Sequence, residues 1–198
     1  MMKIRPLEDY DEENLKALLE EAFPIDEILP LEYYLAYRLN EGVMVYSFEE
    51  RGRFIGFMQV VSNDDIVYLS YLAFFKSYQC KGYGSQAISY LKSLYPNSPI
   101  AVDREVIIPN GEDEQERRRR ASFYIKNGFA DVPCFQLQLG VVYQTMAYNG
   151  FSFLALKDLI EGISHKEDKT YWAYYLQTYE EAMALREKLL PLWDKKEN

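Results

Sequence analysis

The stretch Gln79-Cys80-Lys81-Gly82-Tyr83-Gly84 decides the fold of this chain, because it joins a predicted strand to a predicted helix. The apolar run Ile66–Phe75 precedes the stretch, and a helical pattern begins at Ser85. The two glycines lack Cβ atoms, so the backbone is able to bend sharply and bring its N–H groups close to a ligand. A following helix adds unpaired first-turn N–H groups and the positive end of its dipole. This stretch, the glycine loop, therefore predicts a binding site for a phosphate or pyrophosphate.

Two common nucleotide motifs do not account for the glycine loop. The Walker motif ends in Gly-Lys-Ser/Thr, and the dinucleotide fingerprint requires a third glycine before its helix. Neither pattern is present, and a tight turn alone would use the same glycines. The loop instead resembles the Gln/Arg-x-x-Gly-x-Gly/Ala acyl-CoA loop of the GNAT superfamily of N-acetyltransferases, with a match at every defining position.

A second motif follows the loop in the order that this resemblance requires. The segment Phe123-Tyr124-Ile125-Lys126-Asn127-Gly128-Phe129 is similar to the Phe-Tyr-x-x-x-Gly-Phe signature found after the acyl-CoA loop in many GNAT enzymes. Gly128 also has a physical interpretation of its own, as the left-handed residue that ends a helix while Phe129 packs back on the last turn.

The periodicity of apolar residues predicts a mixed order of strands and helices. The predicted strands are Met2–Arg5, Val43–Phe48, Phe54–Val61, Ile66–Phe75, Pro99–Val106 and two pieces within Cys134–Tyr148, interrupted near Gly140. The polar turn at residues 49–53 joins the second and third of these strands and predicts a hairpin. The predicted helices are one from Asp11 to before Pro24, then Pro30 to Gly42, Ser85–Tyr95 and Glu116–Asn127. In the second of these helices, Tyr33, Tyr34 and Tyr37 are candidates to line an acceptor pocket, with core packing as the alternative.

The resemblance implies an α/β (α+β) fold, in which helices flank a mixed, mostly antiparallel central sheet. It covers residues 1–148, which form the predicted acetyltransferase core. Residues 149–198 form a C-terminal extension with a predicted helix at Ser152–Glu161, a strand at Tyr171–Gln177 and a helix from Thr178, where Thr178 and Glu181 make a capping box. The apolar content of the extension predicts that it packs on the core, shapes the acceptor site or forms a homodimer contact.

The resemblance also implies that acetyl-CoA is the co-substrate and assigns its binding residues. The main chain near Phe74 would bind the acetyl and pantetheine portion, and the glycine loop would bind the pyrophosphate. The cofactor-binding candidates are Phe74, Gln79, Cys80, Lys81, Gly82, Tyr83, Gly84 and Ser85. By the same resemblance, Tyr124 takes the place of the tyrosine that donates a proton or a hydrogen bond to the departing CoA sulfur.

Asp103 and Glu105 are the carboxylate candidates for helping to deprotonate an amine. They lie two residues apart on the extended segment Ala101–Val106, so they project from one face of the sheet. The alternative is an exposed strand end whose acids pair with arginines. Asp64 and Asp65 are second candidates, although their position in a polar turn favours a role in shaping that turn.

The composition restricts the partners of this chain. Its 198 residues carry a formal net charge of −9, which argues against a broad surface for nucleic acid or an anionic membrane and favours a cationic acceptor. Arginines 117–120 follow acidic residues that nearly neutralise them. The only two cysteines, Cys80 and Cys134, have no metal-ligand spacing, and the sole histidine, His165, lies in a polar stretch, so no metal site is expected. The lack of a signal peptide or a long apolar run predicts a cytoplasmic protein.

These observations together predict an N-acetyltransferase. The acetyl group would pass from acetyl-CoA to a primary amine by direct attack in a ternary complex. The amine could belong to a small metabolite, an antibiotic-like polyamine or a protein terminus, so the acceptor is a small molecule or a peptide. The alternative is a non-catalytic module that uses the acyl-CoA loop as a sensor or for partner docking. A nucleotide hydrolase is disfavoured, since the phosphate-loop lysine and a metal-binding acid set are missing.

Overall fold

The computed structural model describes residues 2–23, 31, 34, 35, 41–138, 140–163 and 174–193. The chain divides into two compact units, Met1–Ser98 and Pro99–Asn198. Strands in both units pair antiparallel with their neighbours, and helices accompany them, so the predicted mixed and mostly antiparallel α/β class is confirmed. Among the described residues, no helix combines the length and the apolar content that are needed to cross a bilayer.

The described residues of the N-terminal unit form four strands that pair with their sequence neighbours in an antiparallel meander. The strands are β1 (Lys3–Pro6), β2 (Val43–Glu50), β3 (Arg53–Ser62) and β4 (Val67–Phe74). The turn between β2 and β3 is the polar one expected from the sequence, and Gly52 in this turn has a φ of +76°. The predicted β2–β3 hairpin is therefore confirmed.

Helix α1 (Glu12–Ala22) covers part of this sheet with the apolar stripe that the sequence predicts. Leu15, Leu18 and Leu19 are buried in one cluster with Phe57 of β3. The helix ends before Pro24, as predicted, because a residue that precedes proline disfavours the helical conformation. Helix α2 (Tyr83–Leu94) follows the glycine loop, with Ala87, Ile88 and Leu91 buried.

Most of the predicted helix between Pro30 and Gly42, including Tyr33 and Tyr37, lies outside the described residues. The described residues Leu31, Tyr34 and Leu35 are helical. The Tyr34 ring is buried and packs edge-to-face on Phe57 and Tyr71, with centroid distances of 6.2 and 5.0 Å. Tyr34 therefore belongs to the hydrophobic core, which was the alternative to lining an acceptor pocket.

In the C-terminal unit, the part of the chain that the structure describes forms four antiparallel strands in the spatial order β5-β7-β6-β8. They are β5 (Ile100–Glu105), β6 (Ala130–Gln138), β7 (Val141–Tyr148) and β8 (Tyr174–Leu176). Strand β6 begins four residues before the predicted Cys134, and its pairing with β7 shifts register between Asp131 and Phe135. Helix α3 (Glu114–Lys126) connects β5 to β6.

The residues beyond 148 add two helices and strand β8 to this unit. The helices are α4 (Phe153–Ile163) and α5 (Tyr179–Trp193). The predicted capping box at the start of α5 is present: the Glu181 N–H donates to Thr178 Oγ1 at 3.2 Å, and the Thr178 N–H donates to Glu181 Oε2 at 3.1 Å. Strand β8 pairs with β6. The boundary at 148/149 stays a prediction.

Candidate active site

The glycine loop contains two left-handed residues. Gly82 has a φ of +84° and caps the N-terminus of α2, while Cys80 has a φ of +58°. Helix α2 therefore begins at Tyr83, two residues before the predicted Ser85, and Gly84 lies in its first turn. The sequence predicts that Gly82 and Gly84 form the sharp bend. In the structure, the left-handed residues of the loop are Cys80 and Gly82 instead.

The backbone of the loop carries a run of N–H groups that the protein does not use. Within the described part of the chain, the amides of Cys80, Lys81, Gly82, Tyr83 and Gly84 donate to no protein acceptor. Successive N–H groups in such a turn, followed by the first turn of a helix, form a common binding arrangement for anionic oxygens. A Cβ built on Gly82 would meet no protein atom within 4 Å, so the space beside the backbone is open. These features fit the pyrophosphate of coenzyme A.

Side chains brace the loop against the ends of β2 and β4. Gln79 Nε2 donates to the carbonyl oxygen of Phe74 at 3.1 Å, and the Tyr83 hydroxyl donates to the Glu50 carboxylate, which raises the pKa of Tyr83. The Phe74 ring stacks between Phe48, at 4.9 Å, and Tyr83, at 6.2 Å. The structure therefore gives Gln79, Tyr83 and the Phe74 side chain a role in holding the loop.

The two remaining side chains of the loop are exposed to solvent. The Lys81 ammonium lies 5.1 Å from the centroid of the Tyr78 ring. The Cys80 thiol is free. Ser85, the last of the predicted cofactor-binding residues, lies within the first turn of α2 and is exposed.

In the C-terminal unit, Tyr124 lies on α3, where the Phe-Tyr motif predicts a helix. Its ring packs between Phe123 and Phe129, at centroid distances of 5.1 and 5.7 Å. Gly128 has a φ of +80° and ends the helix, and the Phe129 N–H donates to the Tyr124 carbonyl at 3.1 Å. The predicted left-handed helix end is confirmed, and it fixes the position of the Tyr124 ring.

The Tyr124 side chain lies in the interior of the C-terminal unit. Tyr124 is only 7% exposed. Burial raises the pKa of Tyr124 to about 12; the positive charge of Arg120 opposes this increase, and the charge of Asp103 adds to it. The phenol is therefore protonated at neutral pH.

Asp103, on β5, lies in a network of hydroxyl, thiol and amide groups contributed by the other three strands of this unit. Its Oδ1 accepts a hydrogen bond from Thr145 Oγ1 at 2.5 Å, and its Oδ2 accepts one from the Tyr175 hydroxyl at 3.1 Å. Gln136 Nε2 donates to the Tyr175 hydroxyl at 3.1 Å. Burial raises the pKa of Cys134 to about 12, while its hydrogen bond with Thr145 opposes this increase. We call these five residues the Asp103 cluster.

Glu105, two residues further along β5, has a different environment. Its carboxylate accepts a hydrogen bond from Arg120 at 2.7 Å and lies 4.0 Å from Arg117. The other arginines of this helix pair with acids of its first turn, as the charge pattern predicts. Glu105 is therefore an acid at a strand end that is paired with arginines, which was the alternative to a role in deprotonating an amine.

The second-choice acids form a turn in the N-terminal unit. Asp64 and Asp65 are exposed, and the Asn63 side-chain oxygen accepts the N–H groups of Asp65 and Ile66 at 3.0 Å each. His165 lies outside the described residues. Elsewhere in the described ranges, no group of three or more His, Cys, Asp and Glu side chains comes together as a metal site.

Sequence reasoning did not identify Thr145, Tyr175 or Gln136. Each is an ordinary strand residue in the sequence. The three come together through the pairing of β6 with β7 and with β8, and the pairing of β7 with β5 brings them to Asp103. Strand alternation predicts which side chains share a face, but it does not predict which distant strands become neighbours.

The comparisons with known proteins agree with the fold. Residues 11–129 match the sequence model of the Acetyltransferase (GNAT) family. No curated protein sequence matches the chain significantly. One similar structure is that of the ribosomal-protein-S18-alanine N-acetyltransferase from Escherichia coli, with 16% identity over 74% of this chain and 92% of that one and a TM-score of 0.57.

Two further solved structures share the fold. A putative acetyltransferase from the GNAT family of Bacteroides thetaiotaomicron is 23% identical over 83% of this chain and 94% of its own, with a TM-score of 0.58. Arabidopsis thaliana NAA60 in complex with acetyl-CoA is 15% identical over 76% of this chain and 100% of its own, with a TM-score of 0.60. At these identities, the likeness establishes the fold.

Proposed function

The chain belongs to the acetyltransferase (GNAT) family and is an acetyl-CoA-dependent acyltransferase, and on this premise we propose that it acetylates a primary amine by direct attack in a ternary complex. The observation that carries the proposal is the run of five amides, from Cys80 to Gly84, that have no acceptor among the described residues. Each N–H bond to a charged oxygen contributes roughly 1.5–3 kcal/mol. Several such bonds bind the pyrophosphate more strongly than the helix dipole does, at about 0.3–1 kcal/mol.

Acetyl-CoA supplies the acetyl group as a thioester, and the protein must supply a neutral amine. A lysine-like amine has a pKa near 10.4, so its deprotonation at pH 7 costs about 4.6 kcal/mol. A positioned general base typically accelerates such a step by about 10²–10⁴-fold. Asp103 and Glu105 are the two acids that the sequence offers for this role on β5.

Asp103 is the better base of the two. The hydroxyl groups of Thr145 and Tyr175 donate to the two oxygens of the Asp103 carboxylate, and these neutral donors orient the carboxylate to accept an amine proton, directly or through water. The arginines around Glu105 hold its carboxylate in ion pairs. We therefore assign the base to Asp103 and a structural role to Glu105.

Tyr124 is the proton donor in this mechanism. Its phenol is protonated at neutral pH because burial raises its pKa to about 12. A phenol of this kind is able to donate to sulfur as negative charge develops on the departing thiolate.

The net charge of −9 favours a cationic acceptor, so the proposed substrates are amines of small molecules or peptides. The cytoplasmic location and the homodimer stay predictions. Release of free thiol from acetyl-CoA over a panel of polyamines, aminoglycosides and short peptides tests the function. Turnover with at least one amine is expected, and acetyl-CoA binding without turnover on any of them would contradict the proposal.

The Tyr124→Phe variant tests the mechanism in the same assay. We expect kcat to fall roughly 10- to 100-fold while acetyl-CoA affinity stays within about twofold, because the hydroxyl acts only as charge develops on sulfur. Tyr148→Phe is the matched control, since Tyr148 also packs on Phe129, at 5.9 Å. Unchanged kcat in Tyr124→Phe would remove this residue from the mechanism.

A further inference from the structure

We propose that Tyr175, in the C-terminal segment beyond the family-matched residues 11–129, is a positioning residue that holds the Asp103 carboxylate for the reaction. This inference rests on the proposed function, since it concerns the residue assigned there as the base. Strand β8 would then help to position the base that acts on the amine acceptor. This is a contribution of the segment after residue 148 that the sequence motifs do not indicate.

The direction of the hydrogen bonds supports this role. A side-chain amide nitrogen only donates, so Gln136 Nε2 must give its proton to the Tyr175 oxygen. The single hydroxyl proton of Tyr175 is then directed to Asp103 Oδ2, at 3.1 Å. Gln136 is 5% exposed and Thr145 is fully buried, so the groups that set this geometry lie in the interior. Tyr175 and Thr145 thus donate to opposite oxygens of one carboxylate.

The structure of β8 explains how Tyr175 reaches this position. Tyr174 and Leu176 pack against the buried cluster of Leu137, Val142 and Ala182. Because strand side chains alternate, Tyr175 points to the opposite face, where it pairs in register with Gln136. From this face its hydroxyl reaches Asp103 Oδ2 on β5 at 3.1 Å.

The effect on Asp103 follows from the chemistry of its donors. Hydrogen bonds to an ionised carboxylate favour the charged form, so removing one donor raises the pKa of the acid. A base acts only when it is deprotonated. In a variant that lacks the Tyr175 hydroxyl, the acid limb of the pH profile of kcat/KM, where activity rises as the base loses its proton, would therefore move to higher pH. Loss of the donor would also leave the carboxylate less well oriented and lower kcat.

Other ionisable groups near Asp103 must be separated from this effect. Those that face it across the strands and helix α3 are Glu105, Tyr143, Cys134, Tyr175, Tyr124 and Arg120. Cys134 and Tyr124 have pKa values of about 12 and remain protonated across an acid limb. If the acid limb of the kcat/KM profile arises from Asp103, it disappears in Asp103→Asn. If it arises from Glu105, it remains in that variant.

The experiment compares Tyr175→Phe with Tyr174→Phe in the full chain. For Tyr175→Phe we expect kcat to fall roughly three- to tenfold and the acid limb of kcat/KM to move up by about one pH unit, which corresponds to a tenfold change in the ionisation equilibrium. Tyr174→Phe keeps the neighbouring ring on the opposite face and should leave both quantities unchanged. In the Asp103→Asn background, Tyr175→Phe should have no further effect, as expected for two residues of one unit.

Each outcome decides the point. If the wild-type protein turns over an amine but Tyr175→Phe leaves both kcat and the acid limb unchanged, the positioning role is overturned and the proposed function stands. If the wild-type protein turns over none of the amines, the proposed function is overturned, and the positioning role with it. If Tyr175→Phe does not fold, Gln136→Met keeps Tyr175 but removes the group that directs its proton. The same upward shift of the limb would support the proposal, and an unmoved limb would overturn it.

Discussion

The glycine loop and the Asp103 cluster are built from polar groups of different origin. The loop offers backbone N–H groups from consecutive residues, and its shape depends on the conformations of Cys80 and Gly82. The Asp103 cluster offers side chains from four strands, and residues 103 and 175 are brought together by strand pairing. A backbone site is therefore encoded locally, whereas a side-chain site depends on the whole unit that builds it.

The largest expected effect is that of replacing Asp103, the central residue of the Asp103 cluster. Asp103→Asn keeps the shape of the residue but removes its charge, so we expect kcat/KM for the amine to fall about 10²–10³-fold. The affinity for acetyl-CoA, measured by calorimetry, should stay within about twofold because the glycine loop is unchanged. A fall in acetyl-CoA affinity of tenfold or more would show that acetyl-CoA binding depends on Asp103. The glycine loop and the Asp103 cluster would then not be independent sites.

The glycine loop should respond most strongly to a change of backbone conformation. Gly82→Val places a β-branched residue at a φ of +84°, which costs an L residue about 1–2 kcal/mol or more, and directs a side chain into the open space beside the amides. We expect the Kd for acetyl-CoA to rise by about 100-fold.

Gly52→Val is the matched control for this variant. Gly52 has a φ of +76°, its Cβ would also meet no protein atom within 4 Å, and it lies in the β2–β3 turn. Both variants should lose a similar amount of thermal stability, but only Gly82→Val should lose acetyl-CoA binding. Equal loss of affinity in the two variants would attribute the effect to general destabilisation.

A smaller effect is expected from the brace of the loop. Gln79→Leu removes the hydrogen bond from Nε2 to the Phe74 carbonyl, and a neutral hydrogen bond contributes about 1 kcal/mol. The Kd for acetyl-CoA should rise about fivefold with kcat unchanged. A change larger than that of Gly82→Val would mean that side chains rather than amides provide most of the binding.

The smallest effect should come from the second acid of β5. Glu105→Gln keeps a hydrogen-bond acceptor for Arg120, whose side chain is 43% exposed, so solvent screens most of the lost attraction. We expect thermal unfolding to show a loss of about 0.5 kcal/mol and kcat/KM to change less than threefold. If kcat/KM fell as far as in Asp103→Asn, the assignment of the base to Asp103 alone would be wrong.

Local signals in the sequence predicted the parts of the fold that depend on short-range chemistry. The β2–β3 hairpin, the end of α1 before Pro24, the left-handed Gly128 and the Thr178–Glu181 capping box are all present. Each depends on the conformational preference or the hydrogen bonds of a few neighbouring residues. The start of α2 was misplaced by two residues, because Gly82 serves as the cap rather than as part of a longer loop.

The candidate site was less accessible to sequence reasoning. Asp103 and Glu105 look equivalent on one strand, and the spacing of two correctly indicates a shared face. Their different partners, hydroxyls for Asp103 and arginines for Glu105, come from β7, β8 and α3. The sequence does not show which of these distant elements approach which acid, so the distinction between the two acids required the structure.

The unequal exposure of the two thiols has a practical consequence. Cys80 is exposed in the glycine loop, while Cys134 is buried and its pKa is raised to about 12, so little reactive thiolate forms there. Because the chain has only these two cysteines, a maleimide dye should attach to the unmodified protein at one place. Protection of that attachment by coenzyme A would then report ligand occupancy in real time, without any engineered label.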